Sequence, residues 1–444
     1  MAFSSLVLTL RKAFSSVAFT VRRREPELIV PAKPTPCEFK YLSDIDDRKG
    51  NRSYSPTVHF FRSKKDPLMA STCNKEDMVG VIRKALANTL VFYYPFAGRL
   101  REAPRGKLLV ECTGQGVYFV EADAEVSLNQ LGGDDLKPPF PYLEQLLCAP
   151  GDSEDILFCP LIHNHTICDA QGLHQFKRAL AEIARGHLSP SIVPVWERHL
   201  LNAREPPQVS FAHREYDHIM SNGRGTLPCL LDDMVQRSFF FGPNELASLR
   251  QHAPHQACTT FELLTAWLWR CRTIAIGYDP EEDVRVVIAV DARGKFHPPL
   301  PIGFYGNAIA DPVAVSTAEE LTKNPLSFAI ELVKKAKNGV NEEYIRSTAD
   351  LMATKGRPII STERTYFVSD LRRVLNGDEV DFGCGEVVQV YSGTAISIPT
   401  STSWMSSVYI SYKNNKGDKG ILPVSLPSPA MKKFVMEIES TYNG

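Results

Sequence analysis

Two histidines and an aspartate share one short stretch of the chain, "LIHNHTICDAQG" (161–172), which follows the apolar run "ILFCP". A neutral imidazole, with an ordinary pKa of about 6.5, can take a proton from a hydroxyl as that hydroxyl attacks an electrophile. H-x-x-x-D is weak evidence alone. With eleven histidines and an Asp frequency of about one in twenty, roughly 0.6 such matches arise by chance. A second match is indeed present in "HREYD", at His213 and Asp217. Context separates the two. His213 falls in a charged, Pro-flanked stretch where nothing is expected to exclude water or fix its rotamer. His165 follows a strand-like run, and Gly172 allows close backbone packing beside it. A base must be held rigidly, so His165 is the candidate. The plain alternatives are a satisfied core histidine at 165 and a helix N-cap at Asp169. His163 shares a strand face with His165 and reads as structural.

Two further stretches bear on this site. "AVDARGKFHPPLP" (289–301) puts Arg293 just past an apolar strand, where a charge needs a partner. "VDFGCGEV" (380–387) puts Asp381 before the Gly383-Cys384-Gly385 bend, where backbone can approach another element closely. Asp169 and Asp381 are the acidic candidates for an ion pair with Arg293, and an exposed loop arginine is the alternative. No G-x-S-x-G elbow occurs. The ten cysteines show no C-x-x-C pair and no Cys/His cluster, which argues for reduced thiols, no zinc site and a cytoplasmic setting.

These residues have to be positioned by a chain of 444 residues, long enough for two domains. Composition is that of a globular protein, 43% hydrophobic and 23% charged. A net charge of −1 argues against bulk nucleic-acid or membrane binding, and no apolar run is long enough to span a bilayer. Residues 1–24 lack acids and hold a near-duplicate, "AFSSLVLTLRK" then "AFSSVAFTVRR"; they read as an N-terminal extension rather than a transit peptide. An N-terminal domain over 25–201 contains a helical pattern around "MVGVIRKALANTLVFYYPFAGRL", halted at Pro95 and Gly98. It also contains an apparent hairpin, "KLLVECTGQGVYFVEADA". After the strand 156–162, Leu173, Phe176, Leu180 and Ile183 recur at helical spacing up to Gly186. Residues 202–231, rich in Pro, Gly and mixed charge, read as a crossover. A second domain over 232–444 carries the helical "TTFELLTAWLWRCRTIA", the strand "VRVVIAV" and several short strands over 380–425. Mixed strands and helices give an α/β class.

In combination the motifs resemble the BAHD acyl-CoA-dependent acyltransferases of plant specialised metabolism. The family's H-x-x-x-D and D-F-G-W-G correspond to His165–Asp169 and Asp381–Gly385, about 215 residues apart, with "YYPFAGRL", "DARGKFHPPLPIGFYGNA" and "YFVSD" interleaved. Cys384 stands where the family has Trp. "FTVRRREPELIVPAKPTP" and "YKNNKGDKGILPVSLPSPAMKKF" are most similar to the benzyl alcohol O-benzoyltransferase group. The resemblance implies two similar-sized domains related to chloramphenicol acetyltransferase, with a channel at their interface. It implies a monomer that holds no permanent cofactor and takes acyl-CoA, here benzoyl-CoA, and a small alcohol as substrates. It makes His165 the general base and Asp169 a structural partner of Arg293, and it makes Asp381, Gly383 and Gly385 a supporting turn. Lys413, Lys416 and Lys419 are candidates for the CoA phosphates, as are Lys334, Lys335 and Lys337, against the plainer reading of each as part of a solvated face; Tyr305, Asn307 and Thr394 are candidates for CoA or oxyanion contact. Acetyl or hydroxycinnamoyl donors, amine acceptors and a non-catalytic binding protein on the same fold are the competing readings.

Overall fold

A computed structural model describes residues 19–63, 75–133, 136–140, 146, 158–159, 162–218, 233–253, 257–374, 380–383, 385–392, 405–414 and 417–443. In the first half, strand β1 (Tyr54–Ser63) and helix α1 (Lys75–Phe92) precede β2 (Phe158–Cys159), β3 (Ile162–Asn164) and helix α2 (Ala170–Ala184). The second half contains β4 (Met234–Phe241), α3 (Thr260–Ile276), β5 (Asp283–Ile288) and β6 (Val313–Thr317). It continues through α4 (Leu326–Asn338), α5 (Glu342–Thr354), β7 (Thr365–Asp370), β8 (Gly385–Ser392), β9 (Ser406–Asn414), β10 (Gly417–Pro427) and α6 (Ser428–Asn443).

β1 alternates as a strand covered on both faces should. Val58 and Phe60 pack with Val408 and Ile410 of β9, while His59 and Phe61 face the other way, where His59 meets α2. α2 is built from its own ends. The Asp169 side chain accepts the Gly172 N–H as N-cap, and Gly186, at φ 95°, closes the other end. Its Leu173, Phe176 and Leu180 pack with Leu86 and Leu90 of α1 in one apolar cluster, as their spacing requires. α3 opens with a Thr259–Glu262 capping box and ends at Gly277, φ 76°. It is apolar almost all round, so it must be enclosed; α4 and α6 pack against it over the second sheet.

That second sheet has the order β4-β10-β9-β7-β5-β6, with parallel pairing only at β9–β7 and β7–β5. The first sheet has the order β8-β1-β3-β2 and is antiparallel throughout. β8 belongs to the C-terminal half of the chain yet pairs along β1 from Ser63 to Thr57. A division at 202–231 therefore leaves one C-terminal strand in the N-terminal sheet.

Five expectations need correction. The run over 156–162 is not one strand, because Phe158–Cys159 and Ile162–Asn164 are separate strands that pair antiparallel with each other. The run over 107–124 is not a hairpin: Leu108–Cys112 pairs with Glu38–Tyr41 and Arg99–Glu102, whereas Val117–Phe119 pairs with Glu27–Ile29. Gly116, at φ 93°, lies so close to Ile29 that a Cβ would stand 2.5 Å from the Ile29 oxygen. The glycine there serves that approach rather than a tight hairpin. The extension over 1–24 is shorter than expected, because Val21–Arg23 already pairs with Ala122–Ala124; residues 1–18 lie outside the described residues. The C-terminal strands β8, β9 and β10 are long, at 8, 9 and 11 residues. Finally, His213 is buried and fixed, between Glu215 (Nδ1 to Oε1, 2.9 Å) and Ser347 (Nε2 to Oγ, 2.8 Å). The crossover is bolted to α5: Arg204 pairs with Asp350 and Glu343, and Ser347 Oγ accepts the N–H groups of Ser210 and Phe211. Arg204 and Glu215, charges that look solvated in the sequence, have partners far along the chain.

Among the described residues a buried lysine faces a histidine rather than an acid. Lys177 of α2 is enclosed, and its Nζ lies 2.8 Å from His59 Nε2. Burial pushes its pKa down from 10.5 to about 7. The unfolded chain then binds the extra proton between pH 7 and 10.5, so folding stability rises with pH across that window and is lowest below it. Lys177→Met should flatten this rise and raise the melting temperature at pH 7, as measured by thermal unfolding from pH 7 to 9. An equally steep rise in the variant would place the titration elsewhere.

Candidate active site

His165 lies in the turn between β3 and α2, half-buried, with its backbone N–H bonded to the Ser53 oxygen at 2.8 Å. Its Nδ1 faces Asn307 Oδ1 at 3.1 Å. The Asn307 amide nitrogen bonds to His165 O at 2.8 Å, to Thr166 O at 3.3 Å and to Asp46 Oδ1 at 3.0 Å. Acceptors around the nitrogen leave the amide oxygen to face the imidazole, so Nδ1 carries the proton. Nε2 is then the basic nitrogen, and among the described residues it makes no hydrogen bond. His163, at a ring-centroid distance of 5.8 Å, is fully enclosed, and burial drives its pKa well down. It is a neutral neighbour, while His165 keeps an open side.

Asp169 points away from the imidazole's free nitrogen. Oδ1 accepts Gly172 N–H at 2.9 Å and Arg293 Nη2 at 2.9 Å, and Oδ2 accepts Ala308 N–H at 3.0 Å. N-cap and ion-pair roles are thus both filled by one carboxylate. Burial pushes its pKa up, but the Arg293 guanidinium and the two N–H groups outweigh that and hold it below its ordinary value. Arg293 also donates to Gly306 O at 2.7 Å and to Phe304 O at 3.3 Å, so it grips the 304–308 segment from behind. Gly172 makes the approach possible: a Cβ there would lie 2.0 Å from the Tyr305 oxygen. Helix start and loop touch backbone to backbone, which brings Asn307 to His165 across 142 residues.

Asp381 is not the partner of Arg293. Its Oδ1 accepts the Gly383 N–H at 2.8 Å, its backbone oxygen accepts from Arg185, and Phe382 packs on Phe61. Gly383 adopts φ 81°, and Gly385 begins β8 opposite Ser63. Arg185 follows the last residue of α2, whose length puts it about 24 Å along the axis from Asp169. The turn therefore anchors β8 at the far end of the helix. Cys384, Lys416 and Thr394 lie outside the described residues. Lys413 lies in β9 opposite Asp418.

Two residues expected at CoA or an oxyanion serve differently. Tyr305 is enclosed among Tyr93, Phe96 and Trp196, and Arg198 stacks over its ring. Asn307 has committed its donors to Asp46, His165 and Thr166, so it orients the imidazole and has no N–H left for a developing oxyanion. Lys334 bonds to Ala257 O and Glu331, and Lys337 to Glu262, which makes them parts of a paired helix surface. Asp46 and Arg198 were not foreseen. Both are fully buried, and they pair at 2.7 Å; "SDIDDRKGN" reads locally as a polar loop. Among the described residues no group of acids, histidines and cysteines could hold a metal ion.

Removing the Asp169 charge would take from Arg293 its enclosed partner and leave only the exposed Asp291 at 3.1 Å, a cost of up to about 3–5 kcal/mol. Asp169→Asn should therefore lower the melting temperature and soluble yield as well as the rate; a rate loss at unchanged melting temperature would make it a direct participant. Gly172→Ala should displace the 305–308 segment and cut turnover strongly, read by free-thiol release. Full turnover in that variant would show the contact to be dispensable.

The model of the Transferase family matches residues 19–441. The chain is 53% identical to the benzyl alcohol O-benzoyltransferase of Nicotiana tabacum, covering 96% of this chain and 95% of that protein. It is also 53% identical to the Petunia hybrida benzyl alcohol O-benzoyltransferase, covering 98% and 96%. The crystal structure of vinorine synthase superposes with a TM-score of 0.70 at 18% identity, over 95% of this chain and 98% of that one, which fixes the shared fold. On this match, and with His165 and Asp169 so arranged, the chain belongs to the Transferase family of BAHD acyltransferases.

Proposed function

We propose that this protein esterifies an alcohol with an aromatic acyl group, benzoyl from benzoyl-CoA, using His165 as the base. The observation that carries the chemistry is the contact between His165 Nδ1 and Asn307 Oδ1, which leaves Nε2 free on a half-buried ring. Nε2 removes the alcohol proton as the oxygen attacks the thioester carbonyl. The tetrahedral intermediate collapses with cleavage of the C–S bond, and the departing CoA thiolate takes the proton back from the imidazolium. No acyl-enzyme is required, because the thiolate is already a good leaving group. Asp169 and Arg293 hold the loop; Asn307 holds the ring. The benzoyl preference rests on likeness to the two benzoyltransferases. Benzyl alcohol, another small alcohol or an alkaloid hydroxyl would suit the acceptor role. The protein acts as a monomer in the cytoplasm, a compartment that suits the free thiols of Cys37, Cys112, Cys168, Cys258 and Cys271.

His165→Ala should keep its fold and lose on the order of a hundredfold to ten-thousandfold in CoA release; undiminished release would remove the imidazole from the mechanism. A panel of benzoyl-, acetyl- and hydroxycinnamoyl-CoA against mixed alcohols and amines, read by product mass, should give benzoate esters in greatest yield. Preferential acetylation or amide formation would overturn the donor and acceptor assignment.

A further inference from the structure

The mechanism needs the proton of neutral His165 to sit on Nδ1, and Asn307 imposes this only if its own amide cannot turn over. The residue that opposes such a turn is Asp46. Its Oδ1 accepts both the backbone N–H of Asn307, at 2.8 Å, and the side-chain Nδ2, at 3.0 Å, so main chain and side chain are held on one oxygen. Arg198 Nη1 donates to the same oxygen at 2.7 Å, while Oδ2 accepts the N–H and the hydroxyl of Ser43 at 3.0 and 2.7 Å. The carboxylate side chain is 0% exposed and that of its arginine 1%. With Trp196, Tyr305 and Phe304 around the guanidinium, little water screens the pair. A turned-over Asn307 would set its oxygen against this carboxylate and against the carbonyls of His165 and Thr166. It would also present an NH2 to Nδ1, which would push the proton onto Nε2 and remove the base.

We propose that Asp46 is a positioning residue of the acyl-transfer site, acting through the Asn307 amide to select which nitrogen of His165 accepts the proton. This rests on the role proposed above for His165. The position is built by tertiary contacts, since Asp46, Arg198 and Asn307 come from three distant parts of the chain. Gly306 fits the same design: a Cβ there would stand 2.5 Å from Arg198 Nη1, so the pair occupies space that any side chain at 306 would take. Arg198 also donates to Ile167 O at 2.8 Å, which ties the pair to the loop behind His165.

The test separates the acceptor from the charge. Arg198→Met is combined in one variant with Asp46→Asn and in another with Asp46→Ala, so neither leaves a buried unpaired ion. In the first, the amide carbonyl introduced at position 46 can still face the two Asn307 donors; in the second, nothing does. The Asp46→Ala variant should show kcat lower by on the order of tenfold to a hundredfold, with KM for benzoyl-CoA and benzyl alcohol within about twofold of the Asp46→Asn variant. Equal kcat in the two variants would overturn the proposal. Nitrogen-15 NMR of histidine-labelled full-length protein, with the His165 signal assigned by its loss in His165→Gln, reads the tautomer directly. Wild type should carry the proton on Nδ1 and the Asp46→Ala variant a mixture. A proton on Nε2 in wild type would overturn the proposal without any variant, should the variants fail to fold. The NMR needs no turnover, so a wild-type protein that transfers no acyl group would sink the functional reading alone.

Discussion

A carboxylate cut off from water inside a protein has to be matched in charge and in hydrogen bonds, and Asp169 meets that demand from three directions. Gly172 lies in its own helix, Arg293 and Ala308 in the other half of the chain. The demand is local, but its solution spans the molecule: the 291–308 segment must come against the start of α2. Once it has, the geometry of the base follows, because Asn307 rides on that segment beside Ala308. Truncating a buried partner in such a cluster is strongly destabilising through the charge left behind. This is why a residue that faces away from the free nitrogen of the imidazole can govern how the imidazole is held. The loop geometry is held by helix ends, and α2 serves twice, holding Asp169 at one end and Arg185 at the other.

What was legible in the sequence was whatever local chemistry determines. α2 carries its own cap and apolar periodicity, and α3 a capping box on an apolar run, so both helices lie where their stretches of sequence place them. The His165, Asp169 and Arg293 set could be found because a buried cation past a strand calls for an acid. Which acid could not be settled that way: Asp169 and Asp381 carry the same functional group, and only the tertiary path of the chain separates them. The same holds for His213. Its flanking prolines and charges look like solvated linker, yet Glu215, Ser347 and Tyr344 enclose it. The orienting role of Asn307, and Asp46 altogether, were hidden for the opposite reason. Neither residue type is rare, and their partners stand 142 and 261 residues away.

The run over 107–124 gives a complementary lesson. Two β-rich segments around glycines satisfy the hairpin pattern, but a glycine can mark a close approach as readily as a turn. Gly116 is pressed against Ile29, and Gly172 against Tyr305, in both cases backbone on backbone. Where such contacts occur, the missing side chain is the functional feature, and a pattern read only along the chain assigns it to the wrong neighbour.

β8 has a consequence for how the molecule is made. It completes the first sheet along β1, but it is encoded only after most of the second half, with β9, β10 and α6 still to follow. As the polypeptide leaves the ribosome, β1 must wait as an open edge, with backbone donors and acceptors unmet, until roughly nine-tenths of the chain has emerged. Vectorial synthesis therefore cannot finish the amino-terminal lobe ahead of the other, and a fragment ending in the crossover would keep a sticky, unpaired border.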